Sequence, residues 1–172
     1  YDSTDTESGS TARGLITLNG KSDCKIQGLQ IDGNKATYTS SYNYGIFLNL
    51  SSDNTITDNT CNNSSNGIYL SSSSNNTVTG NTCNNNNNYG IRLNSSSNNT
   101  ITGNTCNNNN SYGIFLKSSS NNTITGNTCN NNNSYGIYLD SSNSNNTVTG
   151  NTCNNNNNSS IFLYSSSNNT VT

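Results

Sequence analysis

One short unit recurs along most of this chain, and its period restricts the fold to a stacked architecture. The tetrapeptide GIFL at 45–48 returns as GIYL from Gly67, GIRL from Gly90, GIFL from Gly113, GIYL from Gly136 and SIFL from Ser160, in steps of 22, 23, 23, 23 and 24 residues. A second block, NTITDNTC ending at Cys61, returns as NTVTGNTC at Cys83, NTITGNTC at Cys106 and Cys129, and NTVTGNTC at Cys153, with NTVT at the end opening another copy. A unit this short cannot bury an apolar face alone, so successive units must cover one another. Composition closes the alternative of an ordinary core: Asn, Ser and Thr make up 96 of 172 residues, and apolar residues only 27%.

Thr, Val, Ile and Tyr dominate the periodic blocks, and runs such as NNNNN are poor helix material, so the units are built from strands. In TVTGNTC the Val points inward between two outward Thr, Gly-Asn makes a bend, and Cys points inward again; in GIFL the Ile and Leu share the inner face. The expected fold is all-β, a single parallel β-helix with three short strands in each coil of 22–24 residues, six to seven coils in all, rising about 4.8 Å per coil. The regular repeats run from about residue 44. Ahead of them, Leu15, Ile16 and Leu18 form an early strand, Ile26 takes the Val/Ile position and Ile31 the Cys position, so the domain spans 13–172, with 1–12 as a loose segment.

Net charge is −2, with six scattered Lys or Arg, too few to neutralise a nucleic-acid backbone. No apolar run approaches the roughly 20 residues of a membrane-spanning helix. His and Met are absent, which removes the commonest general base and the usual nitrogen and thioether metal ligands. Nucleic acid, membrane insertion, cofactors and metals are therefore not expected, and the polar composition favours an extracellular or cell-surface location.

The NNTITGNTC…NNGIYL pattern resembles the right-handed parallel β-helix repeat of the NosD-like family, within the pectate-lyase-like superfamily, over about residues 14–172. Similar Asn-rich repeats occur in surface and sheath proteins of methanogenic archaea. The copper role behind that family's name is not carried over, since the chain offers neither His nor Met.

Carbohydrate-active relatives on this fold resemble one another in a cluster of carboxylates on one outward face. Here Asp32, Asp53, Asp58 and Asp140 read as solvated turn acids without a repeating cationic partner, so no catalytic residue is expected and the chain reads as a non-enzyme. Cys61, Cys83, Cys106, Cys129 and Cys153 form a core ladder, buried as small hydrophobes or bridged vertically, with Cys24 off the ladder in a turn. Phe47, Tyr69, Arg92, Phe115, Tyr138 and Phe162 form an outward row that calls for a cover, from assembly or from sugar rings. Tyr44, Tyr89, Tyr112 and Tyr135 share the parity of the inward Ile and are expected to fill the coil corner.

Thr77, Thr79, Thr100, Thr102, Thr123, Thr125, Thr147 and Thr149 make an outward Thr-x-Thr ladder of the kind that would suit an ice-binding solenoid. Asn59, Asn81, Asn104, Asn127 and Asn151 are expected to hydrogen-bond along the stack as an amide ladder. Asn75, Asn98, Asn121, Asn145 and Asn168 open a regular set of N-glycosylation sequons. The expected function is structural: a subunit or segment of a self-assembling extracellular fibre, sheath or surface layer. Its partners would be copies of itself stacked end to end and side by side, with surface glycans as a further contact. End-to-end stacking is expected because the last strand is an ordinary repeat strand with nothing after it to act as a cap. The alternatives are an ice-binding solenoid and a carbohydrate-binding or carbohydrate-active module.

Overall fold

A computed structural model describes residues 13–37 and 42–172; the expected loose segment at 1–12 lies outside them. The first coil carries β1 (Arg13–Asn19), β2 (Lys25–Gln27) and β3 (Gln30–Asp32), and the second β4 (Asn43–Asn49), β5 (Thr55–Thr57) and β6 (Thr60–Asn62). From there each coil contributes one longer and one shorter strand: β7 (Asn66–Ser71) and β8 (Thr77–Thr79), β9 (Tyr89–Asn94) and β10 (Thr100–Thr102), β11 (Tyr112–Lys117) and β12 (Thr123–Thr125). The series continues with β13 (Tyr135–Asp140) and β14 (Thr147–Thr149) and closes on β15 (Ile161–Tyr164) and β16 (Thr170–Val171).

Two seven-stranded parallel sheets result, one ordered β1-β4-β7-β9-β11-β13-β15 and the other β16-β14-β12-β10-β8-β5-β2. The third side starts as the β3–β6 pair and continues as single parallel bridges, Thr60 to Thr82, Thr105, Thr128 and Thr152 in turn. This is an all-β parallel solenoid of six complete coils and part of a seventh, with three strand-like sides to the coil.

Corners set the cross-section. In the third coil Ser72, Asn75, Gly80 and Asn85 all have positive φ, and each is followed by a buried polar residue, Ser73, Asn76, Asn81 and Asn86. A left-handed residue turns the chain sharply, and Asn and Gly tolerate that conformation better than most residues. The buried polar residue after it then stacks on its counterpart one coil away. The 24-residue step is absorbed at one such corner, where Ser141 and Ser142 both take positive φ and Asn143 becomes the next rung, accepting the Ser119 N–H at 2.7 Å. The 22-residue step removes a residue ahead of β7, leaving Asn66 in register between Tyr44 and Tyr89.

Inside, Ile16, Leu18 and Ile26 begin columns that continue as Ile46, Leu48 and Ile56, then Ile68, Leu70 and Val78, then Ile91, Leu93 and Ile101, with no exposure from Ile46 onward. Around this narrow apolar core run inward polar ladders. Asn104 Oδ1 accepts both the backbone N–H and the side-chain Nδ2–H of Asn81, while Asn104 Nδ2 donates to Asn127 Oδ1 and to the Val78 carbonyl. Every lone pair and proton of the amide is thereby used. The column from Asn54 through Asn76, Asn99, Asn122 and Asn146 repeats the scheme, as does Asn86, Asn109 and Asn132 at another corner. The first coil bonds at these corners through its backbone: the N–H groups of Lys21, Cys24 and Leu29 donate to Ser51 Oγ, Asn54 Oδ1 and Asn59 Oδ1, and the Lys21 carbonyl accepts Asn54 Nδ2–H.

Candidate functional site

The outer face of the β1–β15 sheet gathers most of the aromatic residues among those described. Tyr44, Tyr89, Tyr112 and Tyr135 do not fill the corner as their parity suggests; they lie outside, against Phe47, Phe115 and Tyr138. The glycine that follows each Tyr explains the reversal. A Cβ on Gly90 would meet Cys106 Cβ at 2.7 Å, so both Gly90 and Ile91 face inward, strict alternation breaks there, and the preceding Tyr turns out.

Rings in successive coils then pile face to face along the axis. Tyr89 and Tyr112 have centroids 5.2 Å apart at 16°, Phe115 and Tyr138 5.3 Å at 26°, and Tyr138 and Phe162 5.4 Å at 29°. Their faces cover one another, leaving Phe47 5%, Tyr69 7% and Phe115 6% exposed, while Arg92, Tyr138 and Phe162 are half-buried. Two residues interrupt the pile in neighbouring coils. Asn66 stands in the Tyr column, and Arg92 stands in the other with its guanidinium carbon 4.6 Å from the Tyr69 ring centre and 5.7 Å from that of Tyr89. That is cation–π range on both sides.

Burial, reinforced by neighbouring Tyr69, pushes the Tyr44 hydroxyl up to about 12, and burial with Asp140 nearby does the same to Tyr138. These phenols hold protons in the folded chain that an unfolded chain releases near pH 10. Stability is therefore intact below about pH 10 and is lost as pH rises through about 12. Urea midpoints measured from pH 9 to 12 should fall steadily above 10; a flat profile would refute this.

On the other long sheet, Thr77/Thr79, Thr100/Thr102, Thr123/Thr125 and Thr147/Thr149 lie in register on the outer surface, flanking the buried Val78, Ile101, Ile124 and Val148. The third side carries an outer amide ladder that the sequence reading missed: Asn62, Asn84, Asn107 and Asn130 each accept, through Oδ1, the backbone N–H of the Asn one coil on. Asn75, Asn98, Asn121, Asn145 and Asn168 are exposed at one corner with φ of 55–57°, one per coil.

Cys61, Cys83, Cys106 and Cys129 have no exposure and Cys153 has 7%, whereas Cys24 is half-buried with its thiol on the Ser22 carbonyl. Burial pushes the Cys106 thiol well above its ordinary value. In native protein, iodoacetamide should modify Cys24 within minutes and spare the five column thiols over that time, all six reacting once denaturant is added, as read by peptide mass mapping. Equal labelling of all six would show that the column is not packed as described.

Among the described residues Asp58, Asp32 and Asp140 bond to separate partners. Asp58 accepts Gln27 Nε2 at 3.3 Å, Asp32 accepts the Asn34 N–H at 2.8 Å and Asn63 Nδ2 at 3.0 Å, and Asp140 accepts Ser141 Oγ at 2.8 Å. Among the described residues no group of three or more His, Cys, Asp or Glu is placed to hold a metal ion. A hollow of about 130 Å³ lies beside Gln30, Ile31, Asp32, Thr60 and Asn62, room for a few waters.

No curated protein matches the chain in sequence. Among solved structures it superposes on a point mutant of the periplasmic alginate epimerase AlgG with a TM-score of 0.69 at 21% identity, covering 86% of this chain and 39% of that one. It superposes on the Dettilon tailspike protein with a TM-score of 0.65 at 19% identity, covering 86% and 40%. The chain thus spans about two fifths of the length of either, and the likeness is one of fold. It corrects one expectation nevertheless. The sequence was read as that of a non-enzyme because its acids do not cluster, yet the structures sharing this scaffold include alginate epimerases, which are enzymes. The signature of the right-handed β-helix region matches residues 14–172, and the chain belongs to that family.

Proposed function

We propose that this chain is a stiff segment of an extracellular fibre, sheath or surface layer, assembled from copies of itself. The observation that carries the reading is the repetition of the same corner chemistry in every regular coil. The Asn54–Asn146 and Asn59–Asn127 columns run through the stack with each amide bonded to the coils before and after it. Such a rod resists bending and shear along its whole length instead of concentrating its chemistry at one place. Its outer faces are broad, regular rows of Thr and Asn, suited to side-by-side contact, and an amide ladder that matches coil to coil within a chain is equally matched between coils of two chains. The surface composition, rich in hydroxyls and amides and poor in charge, supports a secreted or surface location. The test is negative-stain microscopy and sedimentation of the purified chain over a hundredfold concentration range. Fibres or ordered bundles are expected; a monomer throughout would overturn the reading.

A second reading, a carbohydrate-contacting role, is favoured by Arg92 set within the aromatic block and by the fold shared with an alginate epimerase. It predicts retention on an anionic polysaccharide resin that is lost in Arg92→Gln with the circular dichroism spectrum unchanged; equal elution of both proteins would dismiss it.

A further inference from the structure

We propose that the cysteine column is a redox modification site in which neighbouring rungs close into vertical disulfides when the chain meets a low-molecular-weight disulfide such as oxidised glutathione. The rungs are held in register by the backbone: the N–H groups of Cys61, Cys83 and Cys106 bond the carbonyls of Thr82, Thr105 and Thr128, each at 2.7 Å, and Cys129 bonds that of Thr152 at 2.8 Å. Consecutive thiols are therefore one coil apart, about 4.8 Å between Cα atoms, inside the window a disulfide spans. All five are unbridged in this structure. Across the corner each column cysteine lies against a glycine, with Cys106 Cβ 2.7 Å from where a Cβ on Gly90 would sit, and the rest of the core is apolar, so the nearest reactive neighbours are the thiols before and after it. Cys24 stands apart, in register with Asn54 on a different corner.

The chemistry balances without further reagents. A column thiolate attacks one sulfur of oxidised glutathione, forming a mixed disulfide and releasing one glutathione thiolate. The next rung, as thiolate, attacks the protein sulfur of that mixed disulfide and releases the second glutathione; two thiols are oxidised and one disulfide is reduced. Because the thiols are buried, the first step proceeds through local opening of the coils. Bridged Cβ atoms lie about 3.5–4.5 Å apart, less than one coil rise, so a bridge draws two coils together and carries strain that makes it easy to reduce.

Pairing restricted to neighbours has a consequence that composition alone does not. The intact column of Cys61, Cys83, Cys106, Cys129 and Cys153 closes two bridges and leaves one thiol. Cys106→Ala still closes two, Cys61 with Cys83 and Cys129 with Cys153. Cys83→Ala isolates Cys61 and closes one, although both variants keep four column thiols.

The experiment holds native wild-type and variant chains with oxidised glutathione until the intact mass is constant, then alkylates in denaturant and maps peptides. Two bridges are expected for wild type and Cys106→Ala and one for Cys83→Ala, with Cys24 carrying glutathione as a stable mixed disulfide. The wild-type bridges should also raise the urea midpoint, and the gain should vanish with reductant. Two bridges in Cys83→Ala, a bridge to Cys24, glutathione adducts on two or more wild-type column thiols, or five thiols unchanged would each overturn the proposal. The wild-type map alone decides between these if a variant does not fold.

Discussion

Replacing Asn104 by alanine is expected to lower the stability of the chain by about 2–6 kcal/mol, because two buried donors lose their acceptor and each orphaned group costs about 1–3 kcal/mol. The donors are the backbone N–H and the Nδ2–H of Asn81, now bonded to Asn104 Oδ1 at 2.9 and 3.0 Å, and the Val78 carbonyl loses its donor as well. Urea unfolding followed by circular dichroism measures the loss. Thr102→Ala, on the outer strand surface of the same coil, is the control and should stay within about 0.5 kcal/mol of wild type. Asn104→Asp separates the role of shape from that of charge. Its ionised carboxylate would keep the acceptor but set a second oxygen against the Val78 carbonyl and Asn127 Oδ1, so burial and this repulsion raise the folded-state pKa above the ordinary Asp value of about 3.9. Stability of Asn104→Asp is then highest below about pH 4, still short of wild type by the one hydrogen bond that a neutral carboxyl cannot donate, and falls further as pH rises through the raised pKa. A variant equally weak at pH 3 and pH 7 would show that the amide is not read as a donor–acceptor pair.

Particular residues explain how far the sequence carried. The period, the inward Val/Ile position and the Cys rung were legible because apolar and polar letters alternate there, and Asn59 could be placed inside by counting from Val or Cys. The columns through Asn76 and Asn86 were not legible: within SSNN or NNNNN the letters are the same on both sides of the chain, and only the left-handed residue beforehand decides which amide turns in. Tyr89 was placed on the wrong side because parity was counted through Gly90 as if it alternated. The signal that would have corrected this was present, since GI-x-L and NTC keep step through four coils, as expected of two positions in contact. The exclusion of enzymatic activity failed for a different reason. Scattered acids describe these side chains and say nothing about the scaffold, which carries epimerases in other proteins.

Gly113→Ala follows from that contact and is expected to be as damaging as loss of an amide rung, at about 3 kcal/mol or somewhat more for overpacking a fixed corner. An added Cβ would lie 2.7 Å from Cys129 Cβ, 2.7 Å from the Gly136 carbonyl oxygen and 3.0 Å from Asn132 Nδ2. None of these is the free end of a flexible side chain. The carbonyl belongs to the next coil, the Cβ is attached directly to the backbone, and the amide is held in a ladder through Asn156 Oδ1 and the Cys106 carbonyl. Relief therefore requires two coils to separate, which weakens the strand pairing between β11 and β13 as well. Gly126 has the opposite problem: a Cβ there would meet nothing within 4 Å, and its φ of +65° is what calls for glycine. Gly126→Ala should cost about 1–2 kcal/mol from backbone strain alone, and Gly126→Asn much less, since Asn occupies left-handed corners throughout the chain. Gly113→Asn should be the worst of the four, having both the clash and a larger side chain. If Gly113→Ala and Gly126→Ala unfold at the same urea concentration, the close fit of the cysteine column against the glycine column is wrong.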